Sequence, residues 1–335
     1  MPGTKKSYKY AYEVGIKGGI YVKKILVAMF DQEGYTRRLA AYLNHHQNSM
    51  MEVRLFTNED SLKQFLKQEP VEMLLVAERD WDPRWERDAK IHRLIFLSDG
   101  DVVREGMNHP VIFKYQSAES IVQELLAVIA DDDGMQVKTK RMSSDHVEFI
   151  GVYSPYGGAG VSTFSYEMAK EYGMQYTTLY LNLELFHGMP EHSISKWREF
   201  TPAEESRGMS ELIFYLRQHK EKIAVKLQSL VRIQDGVAVI RAVEDYRDLY
   251  SMTVADMQRL LHVLAEETEY QKIFFDIGYI GESALELMRC CDVLYLPNAQ
   301  SEIQHNKQIA FEQLLIREGE REMLERIRFV SMKKE

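Results

Sequence analysis

Apolar residues follow two alternating rhythms along this chain: short continuous runs bounded by turns, and longer stretches with apolar positions three and four apart. The runs are expected as buried strands, because a strand covered on both faces reads as unbroken apolar. The stretches are expected as helices, since one buried stripe repeats every ~3.6 residues. In the C-terminal half the strand-like runs are 147–152, 177–184, 236–240, 272–278 and 292–298. Between them, Phe164, Met168 and Tyr172 mark a helix within 162–172, and Met257, Leu260, Leu261 and Leu264 mark another within 254–267. This alternation predicts a mostly parallel sheet with helices on both faces and ligands at the carboxyl ends of the strands.

A second series occupies the N-terminal half, with strands over 21–28, 52–56, 71–77, 93–98 and 110–115 and helices over 35–44, 62–67 and 118–130. Residues 131–146, from Asp131-Asp132-Asp133-Gly134 through Lys140-Arg141, are polar, charged and without period, so an interdomain linker is expected there. Residues 1–20 are expected to form a weakly ordered leader. The chain thus divides into two three-layer α/β domains, 21–130 and 147–335, and its 335 residues, 45% of them hydrophobic, are enough to fill two cores.

Candidate chemistry lies after the run 147–152. Tyr156-Gly157-Gly158-Ala159-Gly160-Val161-Ser162-Thr163 joins a strand to a helix, as in a loop that cradles phosphate. There the glycines let backbone N–H groups curl around oxygens, the helix N-terminus adds positive potential, a lysine neutralises the outer phosphates, and a Ser/Thr hydroxyl ligates Mg²⁺. Here glycines and hydroxyls are present and the lysines are not. Two strands bring acids toward the same end: 177–184 closes on Asn182 and Glu184, and 272–278 carries Asp276.

In this order and spacing the chain resembles the MinD/ParA class of P-loop ATPases, whose deviant phosphate loop reads x-K-G-G-x-G-K-[ST]; residues 155–162 match at each glycine and at the final hydroxyl. Within that class it is similar to TadZ/CpaE proteins of tight-adherence (Flp) pilus systems, which join a degenerate receiver to a MinD-like domain. The stretches that carry the likeness are 153–158, 180–184, 236–240 and 274–278, and it runs from about residue 21 onward. The resemblance implies a flavodoxin-like pseudo-receiver followed by a P-loop NTPase domain. It makes Gly157, Gly158, Ala159, Gly160, Val161, Ser162 and Thr163 the nucleotide-binding loop, Ser162 and Asp276 the Mg²⁺ ligands, and Asn182, Glu184 and Asp276 the candidate catalytic groups. Tyr156 stands where the signature lysine would reach across a nucleotide-sandwich dimer, and Val161 where the ordinary lysine would be.

The size of these losses separates binding from turnover. A single cation aimed at the transferring phosphate is worth roughly 10³ to 10⁵ in rate. One charge-assisted contact is worth on the order of 1.5–3 kcal/mol in binding. The expectation is vestigial or weak binding of ATP and Mg²⁺, with at most very weak ATPase activity. Arg198, Arg207, Lys222 and Lys226, in a switch-like insertion, are the candidates for a replacement cation.

The receiver-like half ends its third strand in Leu75-Val76-Ala77, with no aspartate to accept phosphate. Asp31, Glu33, Ser98 and Lys114 stand where receiver chemistry would be and are expected to be loop and solvent-facing residues, leaving a docking or dimerisation module.

A net charge of −9 disfavours a nucleic-acid-binding surface. No segment reads as a membrane span or signal peptide, and the two cysteines, Cys290 and Cys291, are adjacent and read as buried small residues of a reducing cytosol. A late strand over 326–332 comes close to the end of the chain, short of the closing elements of the family. Together with these readings, the resemblance implies a cytoplasmic, homodimeric pseudo-ATPase that helps place or assemble Flp-pilus secretion machinery through assembly proteins or a polar landmark. The alternative is a slow Mg-ATPase acting as spatial regulator of another envelope or division system.

Overall fold

The structure is a computed structural model that describes residues 20–22, 25–31, 36–45, 51–100, 109–137, 139–141, 146–186 and 208–331. The N-terminal unit is a five-stranded sheet of β2 (Ile25–Phe30), β3 (Met51–Phe56), β4 (Val71–Ala77), β5 (Ile91–Ser98) and β6 (Val111–Phe113), with helices α1 (Thr36–His45), α2 (Glu59–Gln68) and α3 (Ala118–Asp131). The strand order β3-β2-β4-β5-β6 is parallel throughout, the doubly wound order of flavodoxin-like sheets. Central β4 is buried along nearly its whole length, which is why its run is apolar without alternation.

The second unit contains β8 (Glu148–Tyr153), α4 (Val161–Gly173), β9 (Thr178–Glu184), α5 (Met209–Arg217), α6 (Ile223–Leu230), β10 (Arg232–Gln234) and β11 (Val237–Ile240). After α7 (Tyr246–Ser251) and α8 (Val254–Glu266) come β12 (Lys272–Gly278), α9 (Glu282–Cys290), β13 (Val293–Pro297), α10 (Glu302–Arg317), α11 (Arg321–Arg326) and β14 (Ile327–Val330). Its seven strands run β10-β11-β9-β12-β8-β13-β14, all parallel except β10, so β8 and β12 lie side by side at the centre. Thr253 starts α8 with a capping box closed by Asp256, a local signal that agrees with its apolar stripe.

The expected strand over 21–28 is two elements. Ile20–Val22, numbered β1, pairs antiparallel with β7 (Thr139–Arg141) inside the expected linker, and only Ile25 onward joins the five-stranded sheet. The ribbon is pinned to the second unit: the Arg141 guanidinium donates to the Tyr270 carbonyl at 2.6 Å and Thr139 Oγ1 to Glu267 at 2.5 Å.

The two units meet along α3 and α6. Every residue of α6 is buried, as befits a helix covered from both sides. Gln123 Nε2 donates to the Val231 carbonyl at 2.6 Å, and the C-terminal carbonyls of α3 are capped from the other unit: Tyr215 Oη on Ala130 at 2.8 Å, Lys222 Nζ on Ile129 at 2.6 Å. One continuous apolar cluster runs from Val27 and Leu125 to Leu212, Leu227 and Phe275.

Candidate phosphate-loop site

The central strands deliver the candidate residues to one end of the sheet. β8 leads into the loop 154–160, which turns back into α4 with left-handed backbone at Gly158 (φ 71°) and Gly160 (φ 77°). A β-carbon is disfavoured in that region, so the turn requires glycine there. Gly160 caps α4 without any side-chain acceptor, and no acid occupies the helix's first turn. The first-turn amides are thus available to an anion rather than consumed by a cap.

Ser154 to Thr163, with Glu184, Asp276, Ile277 and Gly278, line a cleft of about 420 Å³. Gly278 keeps the opposite wall thin: a β-carbon there would stand 2.6 Å from Glu184 Cα. The structure therefore brings together the glycines, Ala159, Val161, Ser162, Thr163, Glu184 and Asp276. Asn182 is buried behind them, its Nδ2 donating to Glu184 at 3.2 Å and its Oδ1 accepting the Glu184 amide at 2.9 Å.

Among the residues that line the cleft there are two carboxylates and no lysine, arginine or histidine. Val161, where a lysine is missing from the sequence pattern, lines the cleft beside the hydroxyls. Tyr156 is nearly buried, and its hydroxyl donates to the Pro297 carbonyl at 2.8 Å. Ser154 clasps the start of the turn, donating its hydroxyl to the Tyr156 carbonyl and accepting the Tyr156 amide at 3.1 Å.

Asp276 is wholly inaccessible to solvent. Burial, reinforced by the Glu184 charge, raises its carboxyl to about 7. Its Oδ2 accepts the Tyr180 hydroxyl at 2.8 Å, and its Oδ1 has no hydrogen-bond partner. The Ser162 hydroxyl is close enough to offset part of the rise without closing a hydrogen bond on Oδ1. A buried carboxylate oxygen without a donor, facing a hydroxyl across a cleft that holds only negative charge, fits a hard divalent cation such as Mg²⁺. Ser162 and Asp276 would hold that ion, and the loop amides would hold phosphate. The ion would supply positive charge that no side chain lining the cleft supplies.

Tyr180 joins the site through its contact with Asp276. It lies in β9 two residues before Asn182, on the same face of the strand.

The proposed replacement cations fall elsewhere. Lys222 and Lys226 belong to the contact between the two units, Lys226 being buried and paired with Glu211 at 2.6 Å and Asp131 at 3.4 Å. An ammonium engaged there does not serve the cleft. Arg198 and Arg207 lie outside the described residues.

In the N-terminal unit Asp31, Ser98 and Lys114 are buried, contrary to the expectation that they face solvent. The cause is a cation that follows β4. Arg79 sets its guanidinium 3.2 Å from Asp31 Oδ1 and 3.9 Å from Asp99, while Lys114 also pairs with Asp99. Asp31 and Asp99 thus share an arginine and a lysine. Glu33 lies outside the described residues.

No protein-family profile matches the chain, and no curated protein resembles it in sequence. Solved structures similar in fold to part of it include a putative plasmid partition protein from Borrelia burgdorferi bound to AMPPNP, at 13% identity over 52% of this chain and 72% of that one, with a TM-score of 0.43. A ParA family ATPase from Chlorobium tepidum shows 15% identity over 55% of this chain and 73% of that one, TM-score 0.42. Apo McdA from Cyanothece shows 16% identity over 52% and 68%, TM-score 0.39. Likeness at this level assigns no residue a role.

Proposed function

We propose that the chain is a nucleotide-binding assembly or localisation factor of the TadZ/CpaE kind, a pseudo-ATPase that holds Mg-ATP weakly, pairs with a second copy and serves Flp-pilus secretion machinery in the cytoplasm, at the inner face of the membrane or a cell pole. The observation that carries this reading is the cleft itself: an intact amide cradle and a fitting place for Mg²⁺, with two carboxylates and no cationic side chain among its lining residues. Such a cleft stabilises a bound polyphosphate through backbone and metal, and offers no side-chain charge to a transferring phosphoryl group.

Pairing is supported by an exposed aromatic run that adjoins the cleft walls. Phe186, two residues beyond Glu184, contacts Tyr246, which contacts Tyr250, which contacts Tyr279 next to Gly278. Phe186 is 80% exposed, Tyr246 46% and Tyr250 52%, with Tyr279 buried beneath them, an aromatic patch of the kind that marks an interaction surface. No helix among the described residues is long and apolar enough to cross a membrane.

Isothermal titration with Mg-ATP beside a phosphate-release assay tests the reading. Weak, Mg-dependent binding with turnover at background is the expected result. Turnover abolished by Ser162→Ala would instead establish a slow ATPase, the spatial-regulator alternative; an absence of Mg-ATP binding would remove the nucleotide from the proposal.

A further inference from the structure

We infer that Tyr180 is a positioning residue for the metal: its hydroxyl holds Oδ2 of Asp276 so that Oδ1 stays free as the oxygen offered to Mg²⁺. The inference rests on the nucleotide-binding reading of the same cleft.

Tyr180 is completely buried and sits across from Phe274 in the β9–β12 pairing, while Asp276 sits across from Asn182. The two side chains therefore meet diagonally on one face of the sheet, where long side chains on adjacent strands reach one another. The hydroxyl donates to Oδ2 at 2.8 Å, and its ring is held edge-on by Tyr166 at 5.3 Å. Tyr166 is itself anchored, its hydroxyl donating to Asp235 at 3.1 Å. The donor is thus fixed in place by packing rather than free to turn away.

The consequence follows from what the carboxylate has left. Without the Tyr180 hydroxyl, Oδ2 of Asp276 would lose the donor it has, while Oδ1 already lacks one. With it, one oxygen is satisfied by the protein and the other is the only one needing a cation. Groups that hydrogen-bond a ligating carboxylate set its orientation, and their loss typically costs roughly 10- to 100-fold in metal affinity. Asn182 and Glu184 do not replace this contact, since they bond to each other.

The test is a Mg²⁺ titration of fluorescent ATP-analogue binding to the full chain, comparing the natural sequence with Tyr180→Phe, with binding in EDTA measured alongside. The variant is expected to need roughly 10-fold more Mg²⁺ for half-saturation while Mg-free binding stays the same. In an Asp276→Asn background, Tyr180→Phe is expected to change the Mg²⁺ requirement no further. If Tyr180→Phe does not fold, Tyr180→Met serves, because it fills the space without a donor, and the same rise is expected. An unchanged Mg²⁺ requirement in a folded variant overturns the inference and leaves nucleotide binding intact. A uniform loss of affinity with and without Mg²⁺ shows a merely structural tyrosine and overturns it too. If the natural chain itself shows no Mg-dependent binding, the reading of the cleft fails and the inference with it.

Discussion

The Tyr156 hydroxyl donates to the Pro297 carbonyl at 2.8 Å, tying the phosphate loop to the end of β13 across the mouth of the sheet. A side chain that would have to extend outward to meet a second nucleotide is instead folded in as part of the wall. Tyr156→Phe is expected to lower stability by about 1 kcal/mol, the worth of one buried hydrogen bond, measured by chemical denaturation. Tyr156→Lys is expected to cost more, since it buries an ammonium, and to leave phosphate release at background.

Val161 points to a simpler gain. It lines the cleft in the position from which a cation would face the polyphosphate, and Glu184 and Asp276 would welcome the charge. Val161→Lys is expected to tighten ATP binding roughly 10-fold, about one charge-assisted contact, by isothermal titration at fixed Mg²⁺.

The pH dependence of the ligand-free chain is set in part by Asp276. Its carboxyl is raised to about 7, above its unfolded range near ~4, so its contribution to stability is complete below that range and is lost as pH climbs through about 7. Asp276→Asn removes this loss. The variant is expected to melt higher than the natural chain at about pH 8, by on the order of 2–4 kcal/mol, and close to it near about pH 4. It is also expected to lose Mg-dependent stabilisation by ATP. Thermal melts across pH, with and without Mg-ATP, check both halves.

In the N-terminal unit, Arg79→Ala takes the guanidinium from a buried Asp31. Because Arg79 is partly exposed, a loss of about 1–3 kcal/mol is expected rather than the full cost of breaking a buried pair. Incubation of the natural chain with acetyl phosphate is expected to leave this domain unmodified, as read by intact mass.

The sequence carried the strand–helix alternation, and the parallel sheets follow from it: continuous apolar runs at β4, β8, β9 and β12 could only be strands covered twice. The glycine loop and Asp276 were legible because their chemistry depends on local order and short spacing. What escaped was decided by distant contacts. Asp31 and Lys114 look like solvent-facing charges until Arg79 and Asp99 are brought beside them by the fold. Lys226 looks like a mobile cation until α3 lays Asp131 against it. Tyr180 reads as one more apolar strand residue, because nothing in β9 itself reveals that its hydroxyl reaches a carboxylate 96 positions later. Ile20–Val22 is too short to show a period, and its partner lies in a stretch whose polarity argues against any strand.

The apolar cluster that crosses from α3 into α6 has a mechanical consequence. Each half keeps a smaller cluster of its own, but the largest is shared, so heat should melt the molecule in one transition instead of two. Severing the chain between them would yield a pair of adhesive fragments, each displaying the face it had hidden in the other.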